Sequence, residues 1–134
     1  MTLADLDTKL VDGVLVARLR GEIDMSNAAE IGSAVTGRIS NEALGLVLDL
    51  TDVEYLDSAG LHTIFELRAN LRNRGQQLQL VVPAGATIAQ AVEIMDIPRT
   101  IGVSESTDSA LESIVAAVPQ ARSDAASNPE RSPS

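Results

Sequence analysis

The chain has 134 residues and a formal net charge of −9, from 10 Lys and Arg against 19 Asp and Glu, with no cysteine and no tryptophan. This length gives one domain with a real core, and the missing cysteines exclude a disulfide framework, a thiolate metal site and a thiol redox switch. The acidic balance argues against direct nucleic-acid binding, and with only Tyr55 and Phe65 as aromatics the core must be aliphatic and a base-stacking platform cannot be built easily.

Met1-Thr2-Leu3-Ala4-Asp5 lacks the basic start and apolar core of a signal peptide, and no run approaches about 18 apolar residues. The expectation is a cytoplasmic protein with no membrane insertion. Leu3, Leu6, Leu10 and Val11 precede the turn pair Asp12-Gly13, and Val14-Leu15-Val16-Ala17-Arg18-Leu19-Arg20 follows as a second strand, which predicts a hairpin. Gly21 is expected to end this unit, with Glu22-Ile23-Asp24-Met25 as a loop. A helix capped by Ser26 or Asn27 comes next. Asn27 and Glu30 have the spacing of a capping box, and Ala28, Ile31, Val35 and Ile39 recur on one helical face.

After Asn41 and Gly45 the run Leu46-Val47-Leu48-Asp49-Leu50 reads as a strand buried on both faces, the pattern of a parallel or mixed sheet. An acidic turn is expected over residues 51–56. Asp57 then has the chemistry of an N-cap, since its carboxylate can accept from the free N–H groups of a first helical turn. Ser58 occupies the first helical position, where its hydroxyl faces solvent at the positive end of the helix dipole. The helix runs to about Arg74, with Leu61, Ile64, Phe65, Leu67 and Leu71 on its apolar stripe and Gly75 as its stop.

Leu78, Leu80 and Val82 predict another strand, closed by Pro83, and Ile88, Ala91, Val92 and Met95 a third helix that Pro98 prevents from continuing. Ile101 and Val103 form a short last strand. Ser106 or Thr107 caps a final helix carrying Ala110, Leu111, Ile114, Val115 and Val118. Residues 119–134 are rich in Ser, Ala and Pro without apolar periodicity, and a disordered tail is expected. Alternating strands and helices imply an α/β fold with helices packed on a sheet, although pattern alone leaves strand order open.

Residues 46–61, together with Gly21-Glu22-Ile23-Asp24 and Gly75-Gln76-Gln77-Leu78, resemble the STAS domain of anti-sigma-factor antagonists, and the similarity of pattern extends over about residues 3–118. The resemblance implies a single domain over residues 1–118: a mixed sheet of about five strands with about four helices packed on it. It implies an anti-sigma factor antagonist that binds an anti-sigma factor when unphosphorylated and releases it when Ser58 is phosphorylated. The partners so implied are an anti-sigma factor that is itself a serine kinase of histidine-kinase-like ATPase fold, and a PP2C-type phosphatase. Asp24 falls where the family has an acidic residue near the serine. Ala59 replaces a second serine found in many relatives. The partner-binding surface expected from these readings comprises Asp24, Asp57, Ser58, Ala59, Gly60 and His62, with Glu22, Ile23 and Met25 as further candidates. The alternative role is the STAS accessory subunit of a lipid-transport ABC complex.

Beside the resemblance, the residues have plainer readings. Gly60 allows a helix to pack closely on a sheet, and Asp57 acts first as a cap. His62 stands four residues after Ser58, but one helix does not give the usual hydrolase triad, and no nucleophile elbow is visible, so no catalytic residue is assigned. Asp49, Asp52, Glu54 and Asp57 lack calcium-loop spacing, and there is a single histidine, so no metal is expected. Gly85 and Gly102 are isolated, and no phosphate-binding loop or other cofactor motif is present.

Overall fold

The computed structural model describes residues 5–117. They form, in order, β1 (Asp5–Val11), β2 (Val14–Ile23), α1 (Ala28–Thr36), β3 (Gly45–Leu56), α2 (Ser58–Asn73), β4 (Gln77–Val81), α3 (Ala89–Ile94), a 3-10 turn (Ile97–Arg99), β5 (Gly102–Ser104) and α4 (Thr107–Ala116). Leu3, Val118 and the expected tail over residues 119–134 lie outside the described residues. The strands make one sheet in the order β1-β2-β3-β4-β5, antiparallel between β1 and β2 and parallel elsewhere. This is the mixed α/β sheet that the alternation of elements predicts.

Asp12 and Gly13 both have positive φ, 52° and 81°, the requirement of a two-residue type I′ turn whose twist matches the strands it joins. Register then runs unbroken from Val11–Val14 to Asp5–Arg20. On one face of the sheet Leu15, Ala17, Leu19, Leu46, Leu48, Leu50 and Leu80 are buried under Ile31 and Val35 of α1, Ile64, Leu67 and Leu71 of α2 and Val92 of α3. On the other, Val14, Val16, Val47 and Val81 lie under Ala110 and Ile114 of α4. The central strand is therefore covered on both sides, as its continuous apolar run requires. Each fully buried leucine contributes about 1.5–3 kcal/mol relative to exposure.

Several local expectations are corrected. Gly21 does not end β2: the strand continues through Glu22 to Ile23, so the connecting loop is shorter than expected. The residues read as an acidic turn are the second half of β3. Two register irregularities in the β2–β3 ladder, where Arg18 and Arg20 face Asp49 and Asp52 and Gly21 and Glu22 face Val53 and Tyr55, each insert an extra residue in β3. Inward positions there fall three apart, at Leu50, Val53 and Leu56, all buried. Asp52 is held on the strand by Arg18, whose Nη2 donates to its Oδ2 at 2.6 Å, an exposed pair worth at most about 1 kcal/mol. Ile39, Val82 and Met95 fall just outside the elements they were assigned to, while Ile39 and Val82 remain in the core. Ser106, rather than Thr107, caps α4, accepting from the Ser109 N–H at 3.1 Å.

Candidate functional site

β3 ends at Leu56 and α2 begins at Ser58, leaving Asp57 as the sole connecting residue. Asp57 is extended, and its Oδ1 accepts from the Gly60 N–H at 3.0 Å, the cap expected from its position. Its own N–H donates to the Ile23 carbonyl at 3.3 Å, and its carbonyl accepts the first intrahelical bond, from Leu61, at 2.9 Å. Gly60 lies against the end of β2: a Cβ there would stand 2.5 Å from Leu56 Cδ1, 3.0 Å from Ile23 Cγ2 and 3.2 Å from the Ile23 carbonyl oxygen. The close packing read from the sequence is thus a steric requirement.

The second carboxylate oxygen of Asp57 reaches the neighbouring loop, where Oδ2 accepts from the Met25 N–H at 3.3 Å. That loop, between β2 and α1, has its own bracing. Asp24 Oδ1 accepts from the Ser26 hydroxyl at 2.5 Å and from the Ser26 N–H at 2.9 Å. These two bonds, the hydroxyl first, hold the Asp24 carboxyl below its ordinary value of 3.8. The expected capping box is not formed. Asn27 is at the N-cap position but is buried, and its side chain turns backwards: Nδ2 donates to the Glu22 carbonyl at 2.8 Å and Oδ1 accepts from the Asp24 N–H at 3.0 Å. A buried amide is better satisfied by two backbone partners than by a solvent-facing helix end.

Ser58 is exposed, and its hydroxyl has no hydrogen-bond partner among the described residues. Met25, 83% exposed, is an apolar side chain held in solvent on the loop that Asp57 tethers. Asp24 and Asp57 are partly buried, as is Ala59, which packs on the core. His62 faces solvent one turn beyond Ser58, with Nε2 3.3 Å from Glu66 Oε2. Ile23 is buried and cannot offer its side chain to a partner, which corrects its candidacy for the surface. The structure therefore brings Asp24, Met25, Asp57 and Ser58 to one end of the sheet. His62 continues this surface along α2, and Gly60 lies beneath it.

Chemically, this is a hydroxyl displayed beside the positive end of a helix, with carboxylates close in sequence. Among the described residues no group of three or more His, Asp or Glu could hold a metal ion, and no helix is long and apolar enough to cross a membrane. The Asp49 carboxylate accepts from the Thr51 N–H and hydroxyl, and Asp52 is paired with Arg18, so these carboxylates have local partners. The groove of about 510 Å³ between α1 and α2, lined by Gly32, Ser33, Thr63 and Glu66 among others, does not include Ser58.

The STAS domain family matches residues 5–110. The chain belongs to that family. This STAS domain is 30% identical over 104 residues to the anti-sigma-F factor antagonist RsfB of Mycobacterium tuberculosis, covering 77% of this chain and 83% of that protein. An anti-sigma factor antagonist from Mycobacterium paratuberculosis superposes on it with a TM-score of 0.73 at 26% identity, over 84% of this chain and 94% of the other. The anti-sigma factor antagonist SpoIIAA in its unphosphorylated form shares the fold, with a TM-score of 0.61 at 15% identity over 87% and 100% of the two chains. Within the STAS domain, sequence reasoning overlooked the tether from Asp57 to Met25 and the brace of Asn27. The Asp24-x-Ser26 spacing, which favours a side-chain-to-backbone turn, was the readable sign that this loop is organised.

Proposed function

We propose that this STAS domain is an anti-sigma factor antagonist that binds an anti-sigma factor in its unphosphorylated form. Phosphorylation of Ser58 releases the partner and so regulates sigma-factor-dependent transcription. The observation that carries this reading is the exposed Ser58 hydroxyl at the start of α2, without a partner among the described residues, beside a loop that Asp57 holds in place with Met25 presented to solvent. Similarity to RsfB, an anti-sigma-F factor antagonist, supports it.

The partner-binding surface is Asp24, Asp57, Ser58, Ala59 and His62, with Met25 as its apolar contact; Gly60, expected there from the sequence, is buried beneath it and supports the surface without touching the partner. The anti-sigma factor acts as a serine kinase of histidine-kinase-like ATPase fold, and a PP2C-type phosphatase restores the free hydroxyl; the setting is cytoplasmic. The domain contributes binding and no catalysis. The kinase supplies nucleotide, metal and base: the serine oxygen forms the new bond to the γ-phosphorus, the bond to the nucleoside diphosphate breaks, and the hydroxyl proton passes to the kinase base. Phosphoserine carries about −1.5 to −2 charges at pH 7. Burying that charge unpaired beneath a partner costs several kcal/mol, whereas the gain at the helix end is about 0.3–1 kcal/mol. Each 1.4 kcal/mol weakens binding about tenfold, so phosphorylation switches the complex while the fold persists.

The test is incubation with candidate anti-sigma kinases and ATP, followed by mass spectrometry of the modified peptide and binding measurements with Ser58→Ala and Ser58→Asp. Modification at Ser58, retained binding by the alanine variant and at least about tenfold weaker binding by the aspartate variant are expected. Phosphate on another residue, or an aspartate variant that binds as tightly as wild type, overturns the reading.

A further inference from the structure

Among the described residues β1 is an end strand of the sheet, paired with β2 on one side only. Seven residues long, it is also unlike the short end strands that commonly limit unwanted pairing. Its sequence, Asp5-Leu6-Asp7-Thr8-Lys9-Leu10-Val11, leaves Leu10 68% exposed. Neither Asp7 nor Lys9 has an ion-pair partner among the described residues.

The hairpin fixes which backbone groups face outward. A two-residue type I′ turn is closed by a hydrogen-bonded pair, here Val11 and Val14, and the register to β2 has no irregularity. Hence the odd-numbered residues of β1 direct their N–H and C=O groups to β2, and Leu6, Thr8 and Leu10 direct theirs to the open edge. A second strand can pair there only through such outward-facing residues.

We propose that this edge joins a second copy of the same chain, β1 against β1 in antiparallel register centred on Thr8. Of the symmetric registers that satisfy the backbone, those centred on Asp7, Thr8 and Lys9 overlap at least five residues of each seven-residue strand, and charge distinguishes them. Centring on Asp7 sets Asp7 against its own copy, and centring on Lys9 sets Lys9 against its own copy; both place like charges directly opposite. Centring on Thr8 sets Asp7 opposite Lys9 twice. These fall in non-hydrogen-bonded pairs, where side chains approach most closely. The same register pairs Leu6 with Leu10 twice, on the sheet face where Leu6 already packs against the core, so the exposed Leu10 gains an apolar neighbour. Thr8 with Thr8, and Leu6 with Leu10 in both directions, exchange the hydrogen bonds of the new ladder. The result is a continuous ten-stranded sheet with a two-fold axis. Because the two sheets run in opposite directions, the Ser58 ends point away from one another.

One strand pair and two leucine contacts make a small interface, so the expected dissociation constant is about 10–100 μM. Sedimentation velocity of the full chain across that range tests it, with Asp7→Lys, Lys9→Asp, the double variant and an equimolar mixture of the two single variants. Wild type is expected to dimerise, and each single reversal to weaken association by about tenfold or more, since it turns two attractions into two repulsions. The double variant and the mixture are expected to recover it, because both restore opposite charges at each contact. Independently of any variant, amide exchange at Leu6, Thr8 and Leu10 slows as wild-type concentration rises, while Asp7 and Lys9 are protected throughout. A wild type that stays monomeric, or exchange at Leu6, Thr8 and Leu10 that ignores concentration, overturns the proposal; single reversals that associate like wild type overturn the register.

Discussion

Asp57 and Met25 are joined by a hydrogen bond, from the Met25 N–H to Asp57 Oδ2 at 3.3 Å, while the other oxygen of the same carboxylate caps α2 through Gly60 at 3.0 Å. One side chain therefore holds the start of the helix and the adjoining loop. Asp57→Ala is expected to destabilise the domain by about 1–2 kcal/mol through loss of the cap, and denaturant unfolding measures it. The same variant frees the loop from α2, so amide exchange at Met25 rises in the folded state. An unchanged midpoint would remove Asp57 from its structural role.

Ser58→Asp separates the proposed switch from folding. A carboxylate in the first turn gains from the helix dipole, but Asp57 is adjacent and already carries the charge that this end of the helix favours. The two effects oppose one another, and stability is expected to stay within about 0.5 kcal/mol of wild type. A thermal midpoint that falls by many degrees would show that the added charge acts on the fold.

Gly60→Ala tests the close approach of α2 to β2. Alanine favours a helix over glycine by up to about 1 kcal/mol, yet its Cβ enters the space of Leu56 and Ile23, an overpacking that costs about 1–3 kcal/mol. Because the Ile23 carbonyl 3.2 Å away is backbone and cannot rotate aside, the net result is destabilisation of about 1 kcal/mol, or roughly 3–5 °C in a thermal melt. A more stable alanine variant would mean that the helix can shift outward freely.

Asp24 titrates below 3.8 because its charged form accepts from Ser26. A carboxyl whose folded value is depressed adds stability above its unfolded value, and that contribution is lost as pH falls through the folded value. Its loss therefore belongs to the acid side of 3.8, and the site is intact at neutral pH. Ser26→Ala removes the larger cause, so the Asp24 carboxyl should return toward 3.8 in a side-chain NMR titration. Identical titration in the variant and wild type would assign the shift elsewhere.

The parts of the domain readable from sequence are those decided by neighbours along the chain. Asp57, Ser106 and Pro98 act through groups within a few residues, and each does what its chemistry requires. The second half of β3 resembles a turn in sequence because its inward residues recur every third position instead of every second. That spacing arises from irregularities in a ladder with β2, some thirty residues earlier in the chain. Asn27 misled in the opposite way. Its spacing to Glu30 suits a capping box, but burial against the end of β2 gives its amide better partners behind it than ahead. The tether from Asp57 to Met25 joins positions thirty-two residues apart, and no local pattern encodes it.

A lone residue links the final position of β3 to the opening turn of α2, and both of its neighbours are anchored, Leu56 in the core and Ser58 in the helix. There is no slack in such a joint. The serine oxygen thus stands on a connection with one residue to turn about, next to a strand end anchored in the core. In the proposed switch, a phosphate at this point therefore acts through its charge and not by bending the joint.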